Sequence, residues 1–202
     1  MKGLRVLALV FLGLSASGCG TAPPAPEDHY YRLSLPPGPG LASWPFDRPV
    51  RVMPPEADGL YHGRALLYVT PDAPLELHRA HYRFWTAPPT RLLVRLMRER
   101  LGRHAAEGGE PALELVLHLH HFEAVLGRPS QAWFAVTVRL RAPESGCLLL
   151  HRDYAYRVPA AGRGYYALVQ AFQEAVRRYL TDLARDLDRA RLTCLRRTRS
   201  DG

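Results

Sequence analysis

The sequence predicts an α/β fold, a two-layer sandwich in which two main helices pack on one face of a mixed or antiparallel sheet. Three observations predict it. Apolar and polar residues alternate with period two in several runs, most clearly in "LELVLHLHHFEAV". Two runs carry apolar residues at helical spacing, "TAPPTRLLVRLMRERLGRH" and the stretch from Tyr165 to about Arg189. The order along the chain is strands, helix, three-strand meander, helix, with no internal repeat.

The first eighteen residues stand apart from this pattern. Lys2 and Arg5 precede an apolar run from Leu4 to Leu14, too short to span a bilayer as a mature helix and of the length of a signal-peptide core. Ser15, Ala16, Ser17 and Gly18 are small, and Cys19 follows them. "ASGC" reads as a bacterial lipobox, in which the cysteine thiol takes a diacylglyceryl group and cleavage before it exposes a second acylation point. Ala16 stands where leucine is commonest. Each buried CH₂ adds about 0.8 kcal/mol of membrane affinity, so two or three chains hold a protein where one does not. Residues 1–18 are therefore expected to be a lipoprotein signal peptide. Residues 19–29 are expected to be a tether, because "GTAPPAPED" favours extended spacing over packing.

The remaining chain is long enough for one domain, expected over residues 30–190, with a basic tail over 191–202. "YYRLSL", Tyr30 to Leu35, reads as a strand, and "PPGPGLASWPFDRP" as a loop. Val50 to Pro54 is a short strand, Ala65 to Thr70 another, and Leu75 to Trp85 an extended run with a break near Ala80. The first helix has Thr86 or Ala87 as its cap and Pro88 and Pro89 in its first turn. Its apolar stripe is Leu92, Leu93, Leu96, Met97 and Leu101. In the meander, Leu113, Leu115, Leu117 and Leu119 point one way, and Glu114, Val116, His118 and His120 the other. "GRPS" and "PESG" turn the chain into the second and third strands. The last helix is expected to bury Tyr166, Val169, Phe172, Val176, Tyr179, Leu180, Leu183 and Leu187.

Formal charge is +8 over the whole chain, part of it in the tail "RARLTCLRRTRS". A basic tail can touch anionic lipid headgroups or nucleic acid; export argues against nucleic acid, and a plain solvated helix end is the commoner reading. After Cys19 only Cys147 and Cys194 remain, and an oxidising compartment admits either a bridge between them or a free pair.

No catalytic constellation is visible. "GRGYYA", Gly162 to Ala167, matches the spacing of a dinucleotide-binding turn, but no strand follows its helix to complete the unit. His118 with His120, and His78 with His81, lack a completing cluster for a metal. No enzyme activity, cofactor or metal is expected. Tyr30, Tyr31, Tyr82, Trp85 and Trp133 are candidates either for a lipid- or partner-facing surface or for the core. Tyr82 and Trp85 are the candidates for a partner surface, on a run expected near a sheet edge.

Several blocks together resemble a known family. They are "YYRLSLP" soon after the lipobox, "VRVMPPEADGLYHGRALLYV", "LELHRAHYRFWTAPPTRLLVRLMRERL", and "LELVLHLHHFE" followed by the meander and last helix. The third, a Tyr- and Trp-containing strand running into a Pro-started helix, is the most specific. The chain resembles the ABC-type transport auxiliary lipoproteins, of the paraquat-inducible C-component kind. The resemblance implies a non-catalytic partner of an ABC transporter and of mammalian-cell-entry (MCE) proteins that move lipid between the membranes of a Gram-negative envelope. It allows a homo-oligomer and carries over one functional position, the lipidated Cys19. Gly20 rather than Asp after that cysteine implies the outer membrane, with the domain facing the periplasm. A structural or assembly lipoprotein that binds a periplasmic enzyme or barrel is the alternative, and a hydrolase a remoter one.

Overall fold

A computed structural model describes residues 26–35, 44–106, 108–109 and 112–198, with side chains described to residue 190. The α/β expectation holds: among the described residues, eight strands form one mixed sheet, and two helices cover it. The strands are β1 (His29–Tyr31), β2 (Val50–Val52), β3 (Glu56–Ala57), β4 (Ala65–Thr70), β5 (Ala73–Trp85), β6 (Leu113–Val125), β7 (Gln131–Ala142) and β8 (Cys147–Pro159). The helices are α1 (Pro89–Leu101) and α2 (Gly164–Thr198).

The sheet runs β1-β5-β4-β6-β7-β8. β6, β7 and β8 are the expected antiparallel meander. The other side of β6 is shared end to end. β2 and β3 pair in parallel with its first half, and β4 pairs in parallel with its last three residues. β1, three residues long rather than the six expected, pairs in parallel with the end of β5.

The leucines of β6 do point into the core, with Leu113, Leu115, Leu117 and Leu119 all buried. The alternation then breaks. Leu119 pairs with Val136 and His121 with Ala135, so β6 carries one extra residue at this point. Such a bulge reverses which residues face inward. Beyond it Phe122 and Ala124 enter the core, while His121 and Glu123 lie on the face away from the helices.

α1 begins at Pro89, where a missing amide donor costs nothing. Neither Thr86 nor Ala87 caps it, because the boundary residue is Pro88 and no side chain caps the turn. Gly102 ends the helix at φ 51, a left-handed conformation that glycine adopts without penalty, and its N–H donates to the Arg98 carbonyl. The predicted stripe of α1 is buried in full.

α2 packs against β7 and β8. The Tyr156 hydroxyl donates to Asp182 Oδ2 at 2.7 Å, and that of Tyr154 to Asp186 Oδ2 at 2.9 Å. Its core stripe includes Leu168, Phe172, Ala175, Val176, Tyr179, Leu183 and Leu187. Tyr166, expected in that stripe, is 70% exposed. At about 100° per residue it lies roughly a third of a turn from the stripe's centre, and Leu168 and Val169 take the inward positions. The helix runs on to Thr198, so the expected tail begins as its last turns.

The two layers meet in an aromatic centre. Trp85 makes edge-on contacts with Phe122 and Phe172, each at 5.3 Å between centroids, and Phe134 meets Tyr179 at 5.4 Å. The Tyr179 hydroxyl reaches Met97 Sδ at 3.7 Å and so joins the two helices.

Candidate interaction surface

Tyr82 and Trp85 part company in the structure. Strict alternation does not separate them, since Ala80 and Trp85, five residues apart, are both buried; the local geometry of β5 does. Ala65 pairs with Phe84 but Leu67 with Arg79, so β5 spends five residues where β4 spends two. The excess bulges outward around Tyr82, whose φ of 56 is left-handed and rare for an aromatic residue. Tyr82 is 43% exposed and Trp85 is fully buried. The expectation that Trp85 belongs to a partner surface is therefore corrected: it is a core residue, turned inward to meet Phe122 and Phe172. Its indole Nε1 is buried with no hydrogen-bond partner among the described residues.

The bulge sits at a sheet edge. Among the described residues, β1 covers only Arg83–Trp85 of β5, which leaves the N–H and C=O groups of its earlier residues unpaired on that side. Strand edges of this kind accept an incoming strand. Aromatic and arginine side chains line the same edge. Tyr30 stacks on Phe84 at 5.6 Å with the Arg64 guanidinium 5.8 Å from its ring, and Arg83 lies over Tyr165 at 5.2 Å. Tyrosine and arginine are the side chains enriched where interfaces carry most binding energy. A left-handed non-glycine residue costs roughly 1–2 kcal/mol and points to functional constraint when it persists at an exposed edge.

The face of β6–β8 away from the helices is polar and carries several cross-strand pairs. Glu114 accepts from Arg141 at 2.7 Å, and Glu56 pairs with both His118 and Arg139 at 3.4 Å. The Thr137 hydroxyl donates to Asp153 Oδ1 at 2.5 Å, so its one proton is spent and His120 must donate to it through Nε2, at 2.7 Å. His121 stacks on Trp133 at 3.5 Å, and Arg157 lies 4.0 Å from the same ring. This fills Trp133 on both sides and removes it from the list of open aromatic surfaces.

Burial, followed by the neighbouring His118, holds the His120 imidazole below its ordinary value despite Asp153. The unfolded chain then binds a proton that the folded chain resists, over the interval from about 6.5 down to the depressed value. Stability contributed by this group falls as pH drops through that interval. His120→Gln is expected to flatten this part of the stability-versus-pH curve, measured by urea denaturation from pH 7.5 to 5. An unchanged slope would reject the assignment.

Glu123, past the bulge, is the buried carboxylate among the described residues. It accepts from the Tyr61 hydroxyl at 2.8 Å and the Phe122 backbone N–H at 2.7 Å, and lies 2.6 Å from His121 Nδ1. Burial first, then this carboxylate, pushes the Tyr61 phenol well above its ordinary value, so it acts as a donor. Sequence reading missed this pair. A lone acid between Phe122 and Ala124 was the available signal, but Tyr61 lies 62 residues away.

A groove of about 590 Å³ runs along α1, floored by Val52, Pro54, Pro55 and Val94. Arg91 and Arg98 rim it without an ion-pair partner among the described residues, while Arg95 pairs with Glu99 at 3.5 Å. An acidic apolar segment would suit it. Among the described residues no group of three or more His, Cys, Asp and Glu side chains could hold a metal ion. Gly162 to Ala167 forms the turn into α2, with Gly164 at φ 83. Cys147, half-buried at the start of β8, has no disulfide partner among the described residues. The side chain of Cys194, the other half of the expected bridge, lies outside the described residues, as does Cys19.

No curated protein matches the chain. Among solved structures, a Xanthomonas campestris protein of the DUF330 family superposes with a TM-score of 0.67 at 18% identity, covering 77% of this chain and 92% of its own. A second, an uncharacterised protein, gives 0.65 at 16% identity over 80% and 99%. At these identities the likeness is one of fold. The family model for the ABC-type transport auxiliary lipoprotein component matches residues 31–184. That span runs from the end of β1 to well inside α2, and the chain belongs to the ABC-type transport auxiliary lipoprotein component family.

Proposed function

We propose that this protein is a non-catalytic auxiliary subunit of an ABC- and MCE-type system that moves lipid between membranes. It is anchored through Cys19 to the outer membrane and faces the periplasm. The family match over residues 31–184 carries the reading. The lipobox ending at Cys19 supplies the anchor, and Gly20 supports the outer-membrane assignment. The protein works by binding. Its exposed features are a bulged sheet edge around Tyr82 and an arginine-rimmed groove, and both suit a protein partner.

Two experiments test it. Cys19→Ser is expected to abolish incorporation of a clickable fatty acid and to move the protein out of the membrane fraction; unchanged labelling would contradict the anchor. Affinity capture of the lipidated protein from crosslinked envelope is expected to bring down an ABC permease, its ATPase or an MCE-domain protein. Recovery of a cell-wall synthase or a barrel-assembly component instead would favour the structural-lipoprotein alternative.

A further inference from the structure

Three turns gather at one end of the sheet. Thr70 pairs with Ala73 across the Pro71-Asp72 turn that joins β4 to β5. The β6–β7 turn lies beside it: the Leu126 N–H donates to the Val69 carbonyl at 2.9 Å, and a Cβ at Gly127 would sit 4.0 Å from Pro71 Cγ. The loop from β8 to α2 joins them through the Ala160 N–H, which donates to the Ser130 carbonyl at 2.8 Å. The same end carries the two most exposed large apolar or aromatic side chains among the described residues, Leu75 at 99% and Tyr166 at 70%. Arg128 and Arg163 line a cavity of about 740 Å³ there and have no charged or hydrogen-bonding partner among the described residues. Asp72 is the one acid on the three turns.

The path of the chain says what faces this end. β1 runs parallel to β5, with His29 beside Arg83 and Tyr31 beside Trp85. The chain therefore enters β1 from the direction of the β4–β5 turn. Cys19 precedes Pro26 by seven residues (26 − 19), a length that spans at most about 25 Å. The opposite end of the sheet starts at Leu113, ten residues below the level at which Arg79, Leu67 and Glu123 pair across three strands (123 − 113). With the extra residue of the β6 bulge, this stretch of strand covers about 30 Å. To present that end, the short segment would have to double back past β1 and would still fall short.

We propose that the end formed by the Pro71-Asp72, Gly127–Ser130 and Ala160–Gly164 turns is a membrane-docking face. Leu75 and Tyr166 enter the lipid interface, and Arg128 and Arg163 pair with phosphate groups of anionic lipid. Tyrosine suits that interface because its ring is apolar and its hydroxyl stays wet. Docking fixes the orientation of the domain, so that the Tyr82 edge stands sideways, open to a partner in the space between membranes. This inference rests on the anchoring of Cys19.

The test places a photoreactive benzoylphenylalanine at position 75, 166 or 148 of the full-length protein, in cells whose phospholipid carries radioactive phosphate. Leu148, exposed at the β7–β8 turn, marks the far end of the sheet. Radioactive lipid adducts at 75 and 166, with none at 148, are expected. Near an anionic surface each arginine contributes about a factor of five to binding, so Arg128→Glu with Arg163→Glu is expected to cut these adducts about 30-fold or more. The melting temperature of the double variant is expected to be unchanged. A protein adduct at 75 and 166 would overturn the proposal by showing that a partner covers this end. Equal lipid labelling at 148 would also overturn it, and so would absence of lipid adducts from a protein that still incorporates fatty acid. If fatty-acid incorporation is itself absent, the anchor fails, and the docking face with it.

Discussion

Trp85→Ala is expected to destabilise the domain by about 3–5 kcal/mol, the range for truncating a large aromatic side chain in a packed core. Trp85 is fully buried at the meeting point of β5, β6 and α2, and its loss opens a cavity between Phe122 and Phe172. For a chain of this size each kcal/mol lowers the melting temperature by roughly 2–4 °C, so a fall of about 6–20 °C is expected by calorimetry. Trp85→Phe is expected to lose less, about 1–2 kcal/mol, because it also removes an indole N–H that has no buried partner. Tyr82→Ala, three residues away, is expected to stay within about 0.5 kcal/mol of the parent, because the ring is exposed and alanine bears the left-handed φ at much the same cost as tyrosine. Equal losses at 82 and 85 would mean that the inward and outward faces of β5 have been misassigned.

The second large effect is expected at Glu123. Glu123→Ala leaves the Tyr61 hydroxyl and the Phe122 N–H without their acceptor in a buried setting. An orphaned buried donor costs about 1–3 kcal/mol, so a loss of about 3 kcal/mol is expected, read as a lower urea midpoint with an unchanged slope. Glu123→Gln keeps one acceptor oxygen and is expected to lose about half as much. Tyr61→Phe removes a single donor and is expected to cost about 1 kcal/mol. A Glu123→Ala variant as stable as the parent would show that Tyr61 and Phe122 find other partners.

Much of the fold could be read from local pattern. The stripe of α1 and the leucines of β6 follow from periodicity within one element, and the structure buries them as expected. Trp85 and Tyr166 lie elsewhere than expected: Trp85 is in the core, beyond an irregularity of β5 that is defined only against β4, and Tyr166 is 70% exposed, about a third of a turn off the buried stripe of α2. Other features depend on partners distant in sequence. The extra residues in β5 and β6 are defined only against β4 and β7, and the parallel pairing of β2, β3 and β4 with β6 arises from chain segments dozens of residues apart. Glu123 is buried because Tyr61 arrives to receive it, which no window around either residue contains. For the candidate surface, the sequence pointed to the right segment and to Tyr82, but the edge became visible only once β1 proved to cover just three residues of β5.

The central claim is that this auxiliary subunit acts by binding, through the bulged edge around Tyr82. Its most direct measurement is quantitative capture of transporter components from crosslinked envelope by the parent and by Tyr82→Ala, each with its melting temperature recorded. The account predicts an unchanged melting temperature and a loss of captured permease, ATPase or MCE-domain protein of about 30-fold, the effect of truncating an interface residue worth about 2 kcal/mol. Full capture by a stably folded Tyr82→Ala protein would contradict it.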